Sequence, residues 1–112
     1  SYGCVIHCSN RVTLQDDSGV AERCSLIDSD HSHDGSQNWF LEQPVVIGEV
    51  VLGENSFVAA GALVLRDARV GRDSIVGANS VVRGGEYPPS SLLAGAPARV
   101  VRTLAPEEAP AL

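Results

Sequence analysis

Residues 26–39 read Leu-Ile-Asp-Ser-Asp-His-Ser-His-Asp-Gly-Ser-Gln-Asn-Trp. They hold two of the chain's three histidines, His31 and His33, among Asp28, Asp30 and Asp34. An imidazole titrates near neutrality and can take a proton from a hydroxyl or an amine. A nearby carboxylate, Asp28 or Asp30, would orient the ring and stabilise the imidazolium. The same residue types also bind metals. A zinc site needs three or four converging ligands, and His7, His31 and His33 with Asp or Cys form the available set. A solvated polar loop has the same composition, so the flanking sequence has to decide.

On the C-terminal side a strict clock runs. Every sixth residue from Val46 is aliphatic: Val46, Leu52, Val58, Val64, Val70, Val76 and Val82. Glycine follows at Gly53, Gly71 and Gly77, and a small residue precedes by two at Ser56, Ala62, Ala68, Ser74 and Ser80. Counting back from Leu26 gives Val20, Leu14, Cys8 and Tyr2, the same clock with weaker members. An amphipathic helix repeats at about 3.6 residues and a plain strand at about 2. A period of six fits a short strand plus a turn with one inward aliphatic residue per unit, the hexapeptide signature of a β-helix. The pattern resembles that of the left-handed parallel β-helix, which implies an all-β fold of about four triangular coils, three hexapeptides to a coil. The domain is placed at 1–104, with an extruded loop at 32–45 and a short C-terminal tail or helix at 105–112. Long loops in compact repeat domains are often functional, and the two histidines sit at the root of this one.

Composition narrows the function. The 112 residues suit one domain, and aromatics at 4% with no Met leave a core of Val, Leu, Ile and Ala. A net charge of -6 argues against nucleic acid as a partner, because phosphate binding needs a positive surface. The charge is uneven. Six of the eight arginines (Arg66, Arg69, Arg72, Arg83, Arg99, Arg102) follow residue 65, which favours a local anion site in the second half. Cys4, Cys8 and Cys24 have no framework spacing and predict free thiols in a reducing compartment, the cytoplasm. No apolar run approaches the roughly 20 residues of a membrane span, and no signal-peptide pattern is present. The repeat is already running at Ser1, so the natural chain is expected to begin earlier.

Three segments carry a family resemblance. "LIDSDHSHD" (26–34) resembles a strand ending in a catalytic histidine before an extruded loop. "VGRDSIVGANSVV" (70–82) resembles late coils, and "PPSSLLAGAPARVVRTL" (88–104) resembles a closing segment of Pro-Pro followed by Gly-x-Pro-Ala-Arg-Val. The chain is similar to the hexapeptide-repeat acyltransferases, in particular the galactoside, maltose and colanic-acid-type O-acetyltransferases. That resemblance implies direct transfer of acetyl from acetyl-CoA to a hydroxyl, or an amine, of a sugar or sugar-like acceptor. His31 would be the general base, His33 the second candidate, and Asp28 and Asp30 the supporting carboxylates. It also implies a CoA site including Ala59, Ala60, Gly77, Ala78, Arg83, Ala96, Arg99 and Arg102, with Phe57 or Val51 as the side chain on the cofactor. A backbone N–H near Ala59 and Ala60 would polarise the thioester. A homotrimer is implied, its active site between neighbours, and Trp39 and Phe40 packing over the adjacent subunit or walling the acceptor pocket.

Two departures and two rivals stand beside this reading. The unit 46–51 has its glycine one place late and lacks the usual Trp, and Gly84 stands where the family has a lysine, leaving Arg83 as the substitute. "NRVTLQDD" (10–17) resembles the strand of γ-class carbonic anhydrases that ends in Gln-Asp, but 44–57 contains no histidine pair for zinc, so no metal is expected. The other rival is a non-catalytic β-helix used for assembly, since a fold does not make an enzyme.

Overall fold

One aliphatic side chain in six is sheltered from water only if the chain turns after each short strand and stacks its turns in register. The computed structural model describes residues 1–105 and has that arrangement; the expected tail falls, from residue 106 on, outside the described residues. The first coil is β1 (Val5–His7), β2 (Arg11–Leu14) and β3 (Gly19–Val20). The second opens with β4 (Ser25–Ile27) and is interrupted by an excursion: β5 (Ser29–His31), a 3-10 turn at Phe40–Glu42, and β6 (Val45–Ile47). It resumes with β7 (Glu49–Leu52) and β8 (Phe57–Val58). The third coil is β9 (Leu63–Val64), β10 (Ala68–Val70) and β11 (Ile75–Val76), and the fourth is β12 (Val81–Val82), β13 (Gly85–Tyr87) and β14 (Ser91–Gly95).

Parallel pairing gives three faces. The first is β1-β4-β9-β12, the second β2-β7-β10-β13, and the third β3-β8-β11-β14, onto which β15 (Ala98–Thr103) folds back antiparallel. The molecule is a parallel β-helix of four coils, as the period predicts, with the left-handed form that the resemblance implies. Leu26, Leu52, Val58, Val64, Val76, Val82 and Leu93 are wholly buried along its axis, with Val70 nearly so. The small residues two places earlier, Cys24, Ser56, Ala62, Ala68, Ser74 and Ser80, fill the buried space beside them.

Register corrects three members of the clock. Ile6 pairs with Leu26, so the inward position of β1 belongs to Ile6, and Cys8 and Tyr2 lie outside on exposed turns. Val46 is on β6, away from the prism, and its place among twelve inward positions passes to later residues, Tyr87 and Leu93 among them. Two extra residues between Ile6 and Leu14 explain why counting back by sixes failed.

The corners obey a second rule. The third residue after an inward one adopts left-handed backbone at Asp17, Arg23, Asn55, Gly61, Asp67, Asp73, Asn79, Gly85 and Ser90. Asn, Asp and Gly tolerate that region best, which accounts for seven of the nine positions. Gly53 and Gly71 answer a different need. A Cβ at Gly53 would stand 2.6 Å from Arg72 N, and one at Gly71 2.6 Å from Pro89 N, so backbone of the next coil occupies the space.

The corner between the first and second faces breaks the rule twice, in the long turn after β1 and at the excursion after β4. Asp28 locks the two together. Its Oδ1 accepts from Ser9 N at 2.8 Å, and its Oδ2 accepts from Asn10 N at 2.7 Å and Arg11 N at 2.8 Å. Its own N–H donates to His7 O, and its carbonyl accepts from Gly48 N at 2.8 Å where the chain returns. Asp28 is fully buried.

Two outcomes follow. Leu26→Ala should cost about 2–5 kcal/mol in denaturant unfolding, while Tyr2→Ala should stay within about 0.5 kcal/mol of the parent. The Ser9 N–H above all, with Asn10, Arg11 and the Cys8 side chain, holds the Asp28 carboxyl below its ordinary 3.8 against the opposing pull of burial. A lowered folded-state pKa stabilises fully above the ordinary value and loses that contribution as pH falls through the lowered one. Asp28→Asn should therefore reduce the thermal midpoint at neutral pH, with the difference from the parent shrinking below about pH 4. A constant difference down to pH 2 would show that the carboxylate charge is not what the amides hold.

Candidate active site

The excursion positions the histidines. β5 pairs antiparallel with β6, Ser29 opposite Ile47, Asp30 opposite Val46 and His31 opposite Val45. The extruded element is thus longer than the expected 32–45 and begins at Ser29. Beyond the hairpin the Ser32 hydroxyl and N–H both bond Pro44 O. The Asp34 N–H reaches Gln43 Oε1 at 2.9 Å, and Gln43 Nε2 donates to Asn38 O at 3.2 Å. Asp34 caps a local turn, its carboxyl lowered chiefly by the Ser36 hydroxyl and then by the Ser36 N–H.

Side chains alternate across a strand, so His31 shares a face with Ser29, Val45 and Ile47, while Asp30 and Val46 take the other. The His31 ring meets Phe40 edge-on, with ring centroids 5.4 Å apart, a favourable aromatic geometry. His31 is exposed and forms no ion pair among the described residues.

Neither expected carboxylate rests on it. Both Asp28 oxygens are taken by backbone amides, because a buried carboxylate must be satisfied where it lies. Asp30 points to the opposite face, where its Oδ2 accepts from Arg66 Nε at 2.9 Å. Orientation of the ring, expected from a carboxylate, comes from Phe40. His33 is engaged through Nδ1, which accepts from Gly35 N at 3.2 Å. Trp39 stands clear of the hairpin, 59% exposed.

At the foot of the hairpin lies an open groove of about 400 Å³, lined by Asp30, Leu65, Arg66, Asp67, Arg83 and Gly84. Arg66 is committed inside it, bound to Asp30 and through Nη1 to Asp67 Oδ2 at 2.8 Å. Arg83 has no carboxylate partner among the described residues and remains available to an anion.

The other expected residues lie elsewhere. Val58, Val76 and Leu93 are in register, so Ala59 with Gly77, and Ala60 with Ala78, stack at the corner leaving the third face, next to Gly95 and Ala96. The Ala59 N–H donates to Val76 O at 2.9 Å and the Gly77 N–H to Leu93 O at 2.8 Å. Both are spent in the ladder, which leaves the Ala60 N–H as the candidate thioester donor. Phe57 is half-buried over Gly19, where a Cβ would stand 3.3 Å from the ring. Val51 is also half-buried, paired between Thr13 and Arg69. Arg99 and Arg102 are on β15, opposite Ala94 and Leu92. The His31 hairpin and Arg83 thus lie at one corner, and Ala59, Ala60, Gly77, Ala78 and Ala96 at another with the whole first face between them, while Val51, Phe57, Arg99 and Arg102 lie on strands. Among the described residues no three His, Cys, Asp or Glu side chains converge as a metal site, and no helix is long and apolar enough to cross a membrane.

Comparison with known proteins agrees with this architecture. The bacterial transferase hexapeptide family, six repeats, matches residues 49–84. No curated protein sequence matches the chain. Among solved structures, a galactoside acetyltransferase in complex with coenzyme A superposes with a TM-score of 0.81 at 22% identity, covering 91% of this chain and 50% of that one. A maltose O-acetyltransferase from Clostridium difficile 630 gives 0.71 at 18%, covering 93% and 60%. A variant N-acyltransferase from Bacillus cereus, in complex with dTDP and coenzyme A, gives 0.81 at 15%, covering 93% and 58%. The chain spans about half to three-fifths of the length of these structures. Over residues 49–84 the six-residue clock matches the bacterial transferase hexapeptide repeat, and the chain has the left-handed β-helical fold of these solved structures.

Proposed function

We propose that this protein transfers an acetyl group from acetyl-CoA to a hydroxyl of a sugar or sugar-like metabolite, with His31 as the general base. A His31 nitrogen takes the hydroxyl proton as the oxygen attacks the thioester carbonyl carbon. The carbon–sulfur bond breaks as the tetrahedral intermediate collapses, and the imidazolium returns its proton to the CoA sulfur. The products are an acetyl ester and CoA thiol, with no covalent enzyme intermediate. The Ala60 N–H is the donor suited to the developing oxyanion, and Arg83 and Arg99 suit the phosphates of CoA, since guanidinium pairs with phosphate oxygens. The CoA-bound acetyltransferases of the same fold support this reading.

The observation that carries the assembly is the separation of the two residue groups. One prism cannot bring the His31 hairpin and the Ala59–Ala60 corner together, but two prisms side by side can. The His31 face of the hairpin is also apolar and uncovered, with Val45 48% and Ile47 54% exposed, as is Val5 at 55% on the first face. A cyclic homotrimer would cover these residues and complete each site from two subunits. Three unpaired cysteines suit a cytoplasmic setting.

Among the described residues no carboxylate rests on His31, which also suits a non-catalytic β-helix, and one titration separates the two. Acetyl-CoA added to the assembled protein should bind saturably. His31→Ala should keep that binding while acetyl transfer to sugar acceptors drops about 10²–10⁴-fold. Arg83→Ala should weaken binding by about one to two orders of magnitude, the worth of a charge-assisted hydrogen bond. No binding to a trimer shown intact by sedimentation would leave the scaffold reading in its place.

A further inference from the structure

A guanidinium held between two carboxylates is an unusual use of a cation in a groove otherwise open to ligand. Arg66 Nε binds Asp30 on the hairpin, and its Nη1 binds Asp67 on the third coil, at the left-handed corner residue directly beneath. Asp67 is itself anchored on both sides. Its N–H donates to Glu49 O at 2.7 Å, its carbonyl accepts from Gly85 N at 3.1 Å, and its Oδ1 accepts from Glu49 N at 3.3 Å. Arg66 thus ties the hairpin to a corner fixed by three coils. The returning chain passes close over the same corner. A Cβ at Gly48 would overlap Asp67 Oδ1 and stand 2.8 Å from Arg66 Cγ.

Asp30 and His31 are neighbours on one short strand, facing opposite sides. Fixing Asp30 from below fixes the roll of β5 about its own axis, and with it the direction in which His31 projects. Phe40 packs against His31 from the other side. We infer that Arg66 is a positioning residue for His31, acting through Asp30, and that the Asp67–Arg66–Asp30 bridge sets the aim of the histidine. The catalytic part of this inference rests on the acetyltransferase reading; the geometric part does not. The bridge lies on the protein surface, where such pairs add little to global stability, so its loss should be felt in orientation rather than in folding.

The test uses the full chain with Arg66→Ala, Asp30→Ala, Arg66→Lys, and the exchanged pair Asp30→Arg with Arg66→Asp. The first readout is the nuclear Overhauser effect between the His31 and Phe40 rings. It should be present in the parent, weak or lost in both alanine variants, and regained in the exchanged pair, with thermal midpoints nearly unchanged. The second is acetyl transfer. In the alanine variants kcat should fall about 10–100-fold, the scale of a misplaced catalytic group, with KM for acetyl-CoA within about twofold. Arg66→Lys should recover part of kcat, because one ammonium cannot span both carboxylates as the planar fork does. A ring–ring signal at parental strength in Arg66→Ala would overturn the inference, as would a loss expressed in KM for acetyl-CoA alone, which marks Arg66 as a ligand contact. If the parent transfers no acetyl group, the acetyltransferase reading fails, and the ring–ring signal still decides the bridge.

Discussion

The three amide hydrogen bonds on the Asp28 carboxylate are the constraint on which the candidate site depends. A regular coil turns its corner with a single left-handed residue, and the second coil gives that turn up so that a hairpin can leave. Unwinding a corner in the middle of a prism exposes backbone donors and opens the stack to water, which is costly unless something else takes them. The turn of the first coil is lengthened at the matching place, and its Ser9, Asn10 and Arg11 amides converge on the one carboxylate buried there. Two irregular turns close against each other. The chain can then travel out through His31 and return at Gly48 without disturbing the coils above and below.

The architecture was legible in the sequence because it depends on a repeated decision. Six aliphatic residues at a spacing of six, Leu52 to Val82, with small residues two before five of them, leave one geometry that buries them all. The left-handed corners leave a second clock of their own, in Asp17, Asn55, Gly61, Asp67, Asp73, Asn79 and Gly85, less conspicuous than the glycines next to the inward residues. Residue type alone does not end the second clock at Leu26, because Arg23 and Ser90 hold the left-handed conformation that Ser29 does not. Ile6 is hidden by the two extra residues that precede Leu14.

The candidate site was less legible, because side-chain partnerships are set by which turns lie on top of each other. From spacing alone, Asp28 and Asp30 are equivalent neighbours of His31. In three dimensions one is buried beneath the long turn of the first coil and the other reaches 36 residues along the chain to Arg66. By spacing, Arg66 is one of six arginines after residue 65 and nothing more. Nothing local to either residue distinguishes a free arginine from one committed to Asp30, since the partner is supplied by an excursion whose length the period does not encode.

The division of the expected CoA-side residues from the histidine hairpin follows from the triangular section. A hexapeptide coil has three corners, and residues in register along one corner stay on it through every coil. Ala60 and Ala78 can therefore never approach the hairpin within one chain, whatever the loops do. The prism stacks small, identical decisions into a rigid edge, and that same regularity prevents it from folding around a ligand. The excursion after β4 carries the histidine outward, presenting Val45 and Ile47 on the same face. Under the proposed function, donors on a straight edge and a base on a projecting hairpin would be joined by placing a second edge beside the hairpin, and the uncovered apolar face next to His31 is what such a neighbour would bury.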